Sequence, residues 1–234
     1  MQRRLVIFDC DGTLVDSQNI IVAAMEMAFA EAGLDAPERA SVLSIVGLSL
    51  PEAITRLTLM LDLSPEPGAI ERITQGYKNA FTTLRQDPAH DEPMFAGARE
   101  ALAQLAARDD IALGIATGKS RRGVERLLRR EGLIDCFHTI QTADDAPSKP
   151  HPAMVEQAMA DIGVAPEATT MIGDTTFDME MARRASARAI GVSWGYHPVA
   201  MLSQAGAHHV AEDYPALMGL LDAPRHAGRA VPVE

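Results

Sequence analysis

The chain has 234 residues, 47% hydrophobic and 23% charged, with a formal net charge of −11. That apolar share suffices for a buried core and excludes global disorder, while the acidic balance argues against a general nucleic-acid or membrane-surface binder, since both partners are polyanions. No apolar run nears the roughly 20 residues of a membrane helix, and two cysteines, Cys10 and Cys136, are too few for a disulfide scaffold.

The first element is Leu5-Val6-Ile7-Phe8, an unbroken apolar run that reads as a strand buried on both faces of a parallel sheet. Four apolar residues fall short of the about 7 to 15 of a signal peptide, so a soluble, reducing cytoplasm is expected. From about Asp16 to Asp87 the pattern is helical without a convincing strand. Ile20, Ala24, Met27 and Glu31 follow helical spacing, with Gly33 placed as a C′ glycine. Ser49-Leu50-Pro51-Glu52 fits a capping box, with Ile54, Leu57 and Met60 recurring behind it. Ser64-Pro65 is expected to start another helix, carrying Ile70, Ile73, Tyr77 and Phe81. Pro88 and Pro93 mark the return to the alternating pattern.

From there strands are predicted at Ile111–Ala116, Thr139–Gln141, Thr169–Ile172, Ala189–Val192 and His209–Ala211. Helices are predicted at Gly97–Ala107, Ser120–Arg130, Pro152–Ile162, Phe177–Ala185 and Pro198–Gln204. Strand alternating with helix gives an α/β class with a Rossmann-like parallel sheet and right-handed crossovers. The expected division is an α/β core of residues 1–15 plus 88–222, an all-helical cap of 16–87 inserted after the first strand, and a frayed tail at 223–234.

Open parallel sheets bind ligands at the carboxyl ends of their strands, so the residues there come first. Asp9-Cys10-Asp11-Gly12-Thr13 follows the first strand, Thr117-Gly118-Lys119 the second, and Gly173-Asp174-Thr175-Thr176-Phe177-Asp178 the fourth. Ser148-Lys149-Pro150 precedes a helix, so two of only three lysines (Lys78, Lys119 and Lys149) fall on the ligand-binding face. Two carboxylates about 5 Å apart repel by roughly 3 kcal/mol at an effective dielectric near 20. Gathering Asp9, Asp11, Asp174 and Asp178 therefore calls for a cation, and an all-oxygen donor set favours Mg²⁺ over zinc or copper. Thr117, the Gly118 amide, Lys149 and Lys119 are candidates to hold phosphate oxygens, although for Lys119 a solvated place in the first helical turn is the plainer expectation. Cys10 reads as a small buried hydrophobe, the twelve methionines as core filler, and the arginines at 121, 122, 126, 129 and 130 as a solvated basic helix. The seven histidines read as ordinary surface or strand-edge residues.

Asp9-x-Asp11-Gly12-Thr13-Leu14-Val15-Asp16-Ser17 resembles the first motif of the haloacid dehalogenase superfamily of phosphohydrolases. Thr117-Gly118-Lys119, Lys149-Pro150 and Gly173-Asp174-x-x-x-Asp178 resemble its second, third and fourth motifs in order. Gly191-Val192-x-Trp194-Gly195-Tyr196 is similar to a segment of phosphoglycolate-phosphatase-like members. The resemblance implies that Asp9 is a nucleophile forming an aspartyl-phosphate and that Asp11 is the general acid and base. It also implies Mg²⁺ on Asp9, Asp174 and the Asp11 backbone carbonyl, supported by Asp178. Thr117, Gly118 and Lys149 would bind the phosphoryl group of a small phosphorylated metabolite. A sugar-phosphate mutase is the alternative within the superfamily, lowered because Gly47-Leu48-Ser49-Leu50 lacks the arginine expected of a β-phosphoglucomutase. A phosphonate-cleaving relative would need a cap lysine, and Lys78 has no matching context. A nucleotide-binding ATPase would need four residues between the glycines of Gly114-x-x-x-Gly118-Lys119-Ser120, which has three. A phospho-receiver module has no place for the helical insertion. Oligomeric state is left open.

Overall fold

The computed structural model describes residues 3–63 and 66–223. Six strands, β1 (Arg4–Phe8), β2 (Ile111–Thr117), β3 (Thr139–Thr142), β4 (Thr169–Gly173), β5 (Arg188–Val192) and β6 (His209–Ala211), form one parallel sheet in the order β3-β2-β1-β4-β5-β6. The chain lays strands first to one side of β1 and then, from β4, to the other. The order therefore reverses beside the carboxyl end of β1, where α/β sheets open a ligand crevice.

Alternation along β1 divides the core. Val6 and Phe8 pack on one face with Leu102 and Leu105 of α5 (Ala98–Ala106), Leu128 of α6 (Arg121–Arg130) and Leu217 of α10 (Tyr214–Asp222). Leu5 and Ile7 pack on the other with Val155 of α7 (Ala153–Ile162), Met181 of α8 (Thr176–Arg184) and Leu202 of α9 (Val199–Gln204). Both faces are covered, which accounts for strands that are apolar without polar alternation.

Between β1 and β2 lie α1 (Gln18–Glu31), α2 (Arg39–Leu43), α3 (Leu50–Met60) and α4 (Ala69–Leu84). They share a hydrophobic cluster of their own around Met25, Phe29, Val42, Ile54, Leu57 and Ile73, which also takes in Phe177 of α8. Gly33 closes α1 at φ +74°, its N–H donating to Ala30 O while that of Leu34 donates to Phe29 O, a Schellman motif.

Two local expectations need correction. Ser49 is the N-cap of α3 without a side-chain cap bond. Pro51 at N2 has no N–H to offer, Glu52 turns to Arg56 (3.1 Å), and the Ser49 N–H donates to Ser148 Oγ (2.9 Å). The complete capping box instead opens α8, from Thr175 and Asp178. Met27 and Met60 are 46% and 54% exposed, because the inward stripes run through Ile21, Met25, Ala28 and Phe29, and through Ile54, Leu57 and Leu61. The helix start expected at Ser64-Pro65 lies outside the described residues, and α4 is described from Ala69. Of the expected tail, residues 224–234 lie outside them too.

Candidate active site

Asp9 leaves β1 with its N–H still donating to Ile172 O on β4 (2.9 Å), so the nucleophile candidate is set at the seam where strand order reverses. The next residues fold into a tight loop. The Thr13, Leu14 and Val15 N–H groups all reach Cys10 O, and Gly12 takes φ +85° with its Cα against Asp174. A Cβ at Gly12 would lie 2.2 Å from Asp174 Oδ2, so only glycine lets the two loops approach this closely.

Asp174 follows β4. Its Oδ1 accepts from Thr13 Oγ1 (2.9 Å) and its Oδ2 from the Tyr196 N–H (2.9 Å). Asp178 Oδ2 accepts from Thr175 N (3.1 Å) and Oγ1 (2.7 Å), which leaves Oδ1 for Lys149. Lys149 Nζ donates to Asp178 Oδ1 at 2.7 Å and Asp9 Oδ1 at 2.8 Å. All four groups are buried. The structure thus brings Asp9, Lys149, Asp174 and Asp178 together.

The charge balance of this cluster is uneven. Oxygens of Asp9, Asp174 and Asp178 lie within 4.8 Å of one another, with one ammonium among them. Burial, and then the neighbouring Asp178 and Asp11 working against Lys149, push the Asp9 carboxyl up to about 6. Burial, then the charges of Asp9 and Asp178, drive Asp174 well above the carboxylate range. Burial alone would lower Lys149, but Asp178 and Asp9 more than offset that and hold it protonated. Asp9 Oδ2 is buried without a hydrogen-bond partner. A buried acceptor left unpaired is costly, and three hard oxygen donors with one orphaned atom suit a small divalent cation.

Asp11 faces another way. Its Oδ1 accepts from Ser17 Oγ (2.7 Å) and Lys119 Nζ (2.8 Å). Lys119 also donates to Glu92 Oε1 (2.8 Å) and lies 5.3 Å from the centre of the Phe81 ring. The expected solvated Lys119 is therefore corrected: its side chain is 9% exposed, drawn under α4 by two carboxylates. Thr117 is buried at the end of β2, where its Oγ1 accepts from the Lys119 N–H (3.3 Å). Gly118 lies beneath the α2–α3 loop, where a Cβ would meet Leu48 O at 2.4 Å and Gly47 O at 2.5 Å.

His197 corrects the reading of the histidines as surface or strand-edge residues. It is buried, its Nδ1 accepts from the Thr176 N–H (3.1 Å), and its Nε2 faces Ser44 O (3.1 Å) on the helical insertion. Burial holds its pKa below the usual histidine value, so the neutral ring bridges the two parts of the chain with Nε2–H as donor. The basic helix α6 is solvated as expected, its Arg121, Arg129 and Arg130 making exposed ion pairs with Asp145, Glu125 and Asp91. Glu92 carries no signal in the sequence, since it follows Asp91 in a return segment without periodicity. Ser17 and Tyr196 lie in the first and last of the motif segments, and Tyr196 Oη is 3.2 Å from Ser17 Oγ.

Known proteins resemble this chain in sequence and in fold. Residues 6–192 match the profile described as haloacid dehalogenase-like hydrolase. A Dickeya dadantii protein named "Probable phosphatase IndB" is 33% identical over 218 residues, covering 92% of each chain. A Nitrosococcus oceani protein named phosphoglycolate phosphatase is 31% identical over 198 residues, 84% of this chain and 86% of its own. The crystal structure of a hydrolase from Pseudomonas syringae superposes with a TM-score of 0.80 at 28% identity, covering 94% of this chain and 98% of its own.

Proposed function

The chain belongs to the haloacid dehalogenase-like hydrolases, and from that premise we propose that it is a Mg²⁺-dependent phosphatase. Its substrate would be a small phosphomonoester, phosphoglycolate-like or a sugar phosphate, hydrolysed through an aspartyl-phosphate. The observation that carries the reading is the partnerless Asp9 Oδ2, buried in a cluster of three carboxylates held by one lysine.

Asp9 Oδ1 is pinned by Lys149, so Oδ2 is the oxygen free to attack phosphorus. As the Oδ2–P bond forms and the bond from phosphorus to the leaving oxygen breaks, Asp11 gives that oxygen a proton and the alcohol departs. Asp11 then takes a proton from water as the water oxygen bonds to phosphorus and the P–Oδ2 bond breaks, returning Asp9 and releasing phosphate. Lys149 neutralises charge on the transferring group, and Thr117 and the Gly118 amide bind its other oxygens. Asp9, Asp174 and the Asp11 backbone carbonyl would hold Mg²⁺, with Asp178 in support, and the bound ion supplies charge neutralisation between nucleophile and phosphoryl group.

Residues 16–87 form the cap and residues 1–15 with 88–222 the core in this reading. The burial of every one of these carboxylates supports a closed state, sealed by His197 to Ser44, Ser49 to Ser148, and Arg56 over the Phe177 ring (5.1 Å). Substrate entry then requires the cap to lift. The test is phosphate release from a panel of phosphorylated metabolites, with and without EDTA and with a mutase assay alongside. Release that stops with EDTA and returns with Mg²⁺ is expected. Release indifferent to chelation, or isomerisation without net release, contradicts the proposal.

A further inference from the structure

We infer that Lys119 and Glu92 are positioning residues for Asp11, fixing which of its two oxygens carries the transferred proton; this rests on the phosphatase reading above. Both side-chain hydrogen bonds received by Asp11 among the described residues fall on Oδ1, from Ser17 and Lys119. Oδ2 is left to exchange protons with the leaving oxygen and then with water. A carboxylate held by one oxygen through two donors cannot swing about its terminal bond, and a proton transfer depends on such geometry.

Lys119 cannot supply that hold by itself. A lysine has a long, rotatable stem and its ammonium has three donors to place. Glu92 fixes it, accepting at 2.8 Å, the same length as the Lys119–Asp11 bond, so the ammonium bridges two carboxylates. Glu92 is itself 2% exposed, an expensive place for a carboxylate unless it is paired. Its other oxygen has Arg126 at 3.4 Å and the Phe81 ring covers the ammonium, so the bridge is enclosed rather than free in solvent. Lys119 and Glu92 together carry no net charge, so they orient Asp11 without adding a full positive charge beside it.

A general acid matters most when the leaving group is a poor one. The test compares kcat/KM for p-nitrophenyl phosphate, whose phenolate departs without a proton, with kcat/KM for the best alkyl phosphate of the metabolite panel, whose alkoxide needs one. For Lys119→Met the alkyl ester should lose about 100-fold or more and the aryl ester less than about tenfold, in keeping with the usual size of general-acid catalysis. Glu92→Gln, which keeps shape and polarity if Lys119→Met fails to fold, should shift the alkyl-to-aryl ratio the same way by a smaller factor. Lys119→Arg, which keeps a cation there, should restore much of the ratio. Equal losses on the two esters, or a Glu92→Gln ratio like that of the wild type, overturn the inference. Wild-type protein inactive on both esters would overturn the phosphatase reading instead.

Discussion

Two lysines in this protein each bridge a pair of carboxylates, with almost the same bond lengths and in different surroundings. Lys149 joins Asp9 and Asp178 at 2.8 and 2.7 Å with no exposure, Asp9 following β1, Asp178 in the first turn of α8 and Lys149 in the loop before α7. Lys119 joins Asp11 and Glu92 at 2.8 Å each, at 9% exposure, and its roof is Phe81 of the helical insertion. In each bridge one oxygen of an aspartate is tied to the lysine and the other is left for chemistry. The first is built into the sheet, whereas the second is completed only when the insertion covers it. The difference suits their proposed tasks: a nucleophile must be fixed before substrate arrives, and a proton carrier needs its final place only once the site is closed.

The sharpest way to break that division is to remove the two aspartates in turn. Asp9→Asn should lower phosphate release by about 10⁴-fold or more on every ester, as loss of a nucleophile does, with the circular dichroism spectrum unchanged. Residual release within tenfold of wild type would dissolve the distinction between the bridges.

Stability gives the next contrast. Lys149→Met leaves two carboxylates buried without their cation and should cost about 3–5 kcal/mol in urea unfolding under EDTA. Lys119→Met should cost less, about 1.5–3 kcal/mol, because lifting the insertion lets water reach Asp11 and Glu92. A larger loss at Lys119 would reverse the comparison.

The third contrast is with pH and metal. Asp9 has its carboxyl raised, by burial first, from 3.8 to about 6 in the metal-free fold. A raised carboxyl contributes stability that is fully present below its unfolded value and is lost as pH rises through the folded one. Wild-type minus Asp9→Asn stability under EDTA should therefore fall between about pH 4 and pH 6. Mg²⁺ should reverse the fall above pH 6, since binding needs the ionised group. A flat difference across that window, or one insensitive to Mg²⁺, would count against a cation at this bridge.

The smallest effect concerns the helix starts nearest the two regions. Thr175→Ala removes the working cap of α8 beside Asp178 and should cost about 1 kcal/mol. Ser49→Ala removes a hydroxyl that caps nothing and should stay within about 0.5 kcal/mol.

How much of this was readable from sequence follows the same division. The sheet and the Lys149 bridge were legible because buried parallel strands are unbroken apolar runs, and the residues at their ends carry recognisable patterns. Asp9 and Asp174 directly follow β1 and β4, Asp178 stands in the first turn of α8, and Lys149 in the loop before α7. The Lys119 bridge was not legible. Its partners come from three separate stretches, and Glu92 lies in a segment with no periodicity, where nothing local distinguishes a buried acid from a solvated one. Met27 and Met60 show a related limit: helical spacing fixes a stripe, but neighbouring helices decide which stripe turns inward. Ser49 shows that a cap pattern fails when the N3 side chain, Glu52, pairs with Arg56 and a tertiary contact takes the N-cap N–H.

The most direct measurement is rapid acid quenching of the Asp11→Asn variant with p-nitrophenyl phosphate and Mg²⁺, followed by peptide mass spectrometry. That variant should still accept the phosphoryl group, because this leaving group needs no proton, and should release it slowly, so the mass of one phosphoryl group should appear on the peptide at Asp9. Wild-type turnover by the variant with no labelled peptide, or a label on any other residue, would contradict the assignment of Asp9 as nucleophile and Asp11 as proton carrier.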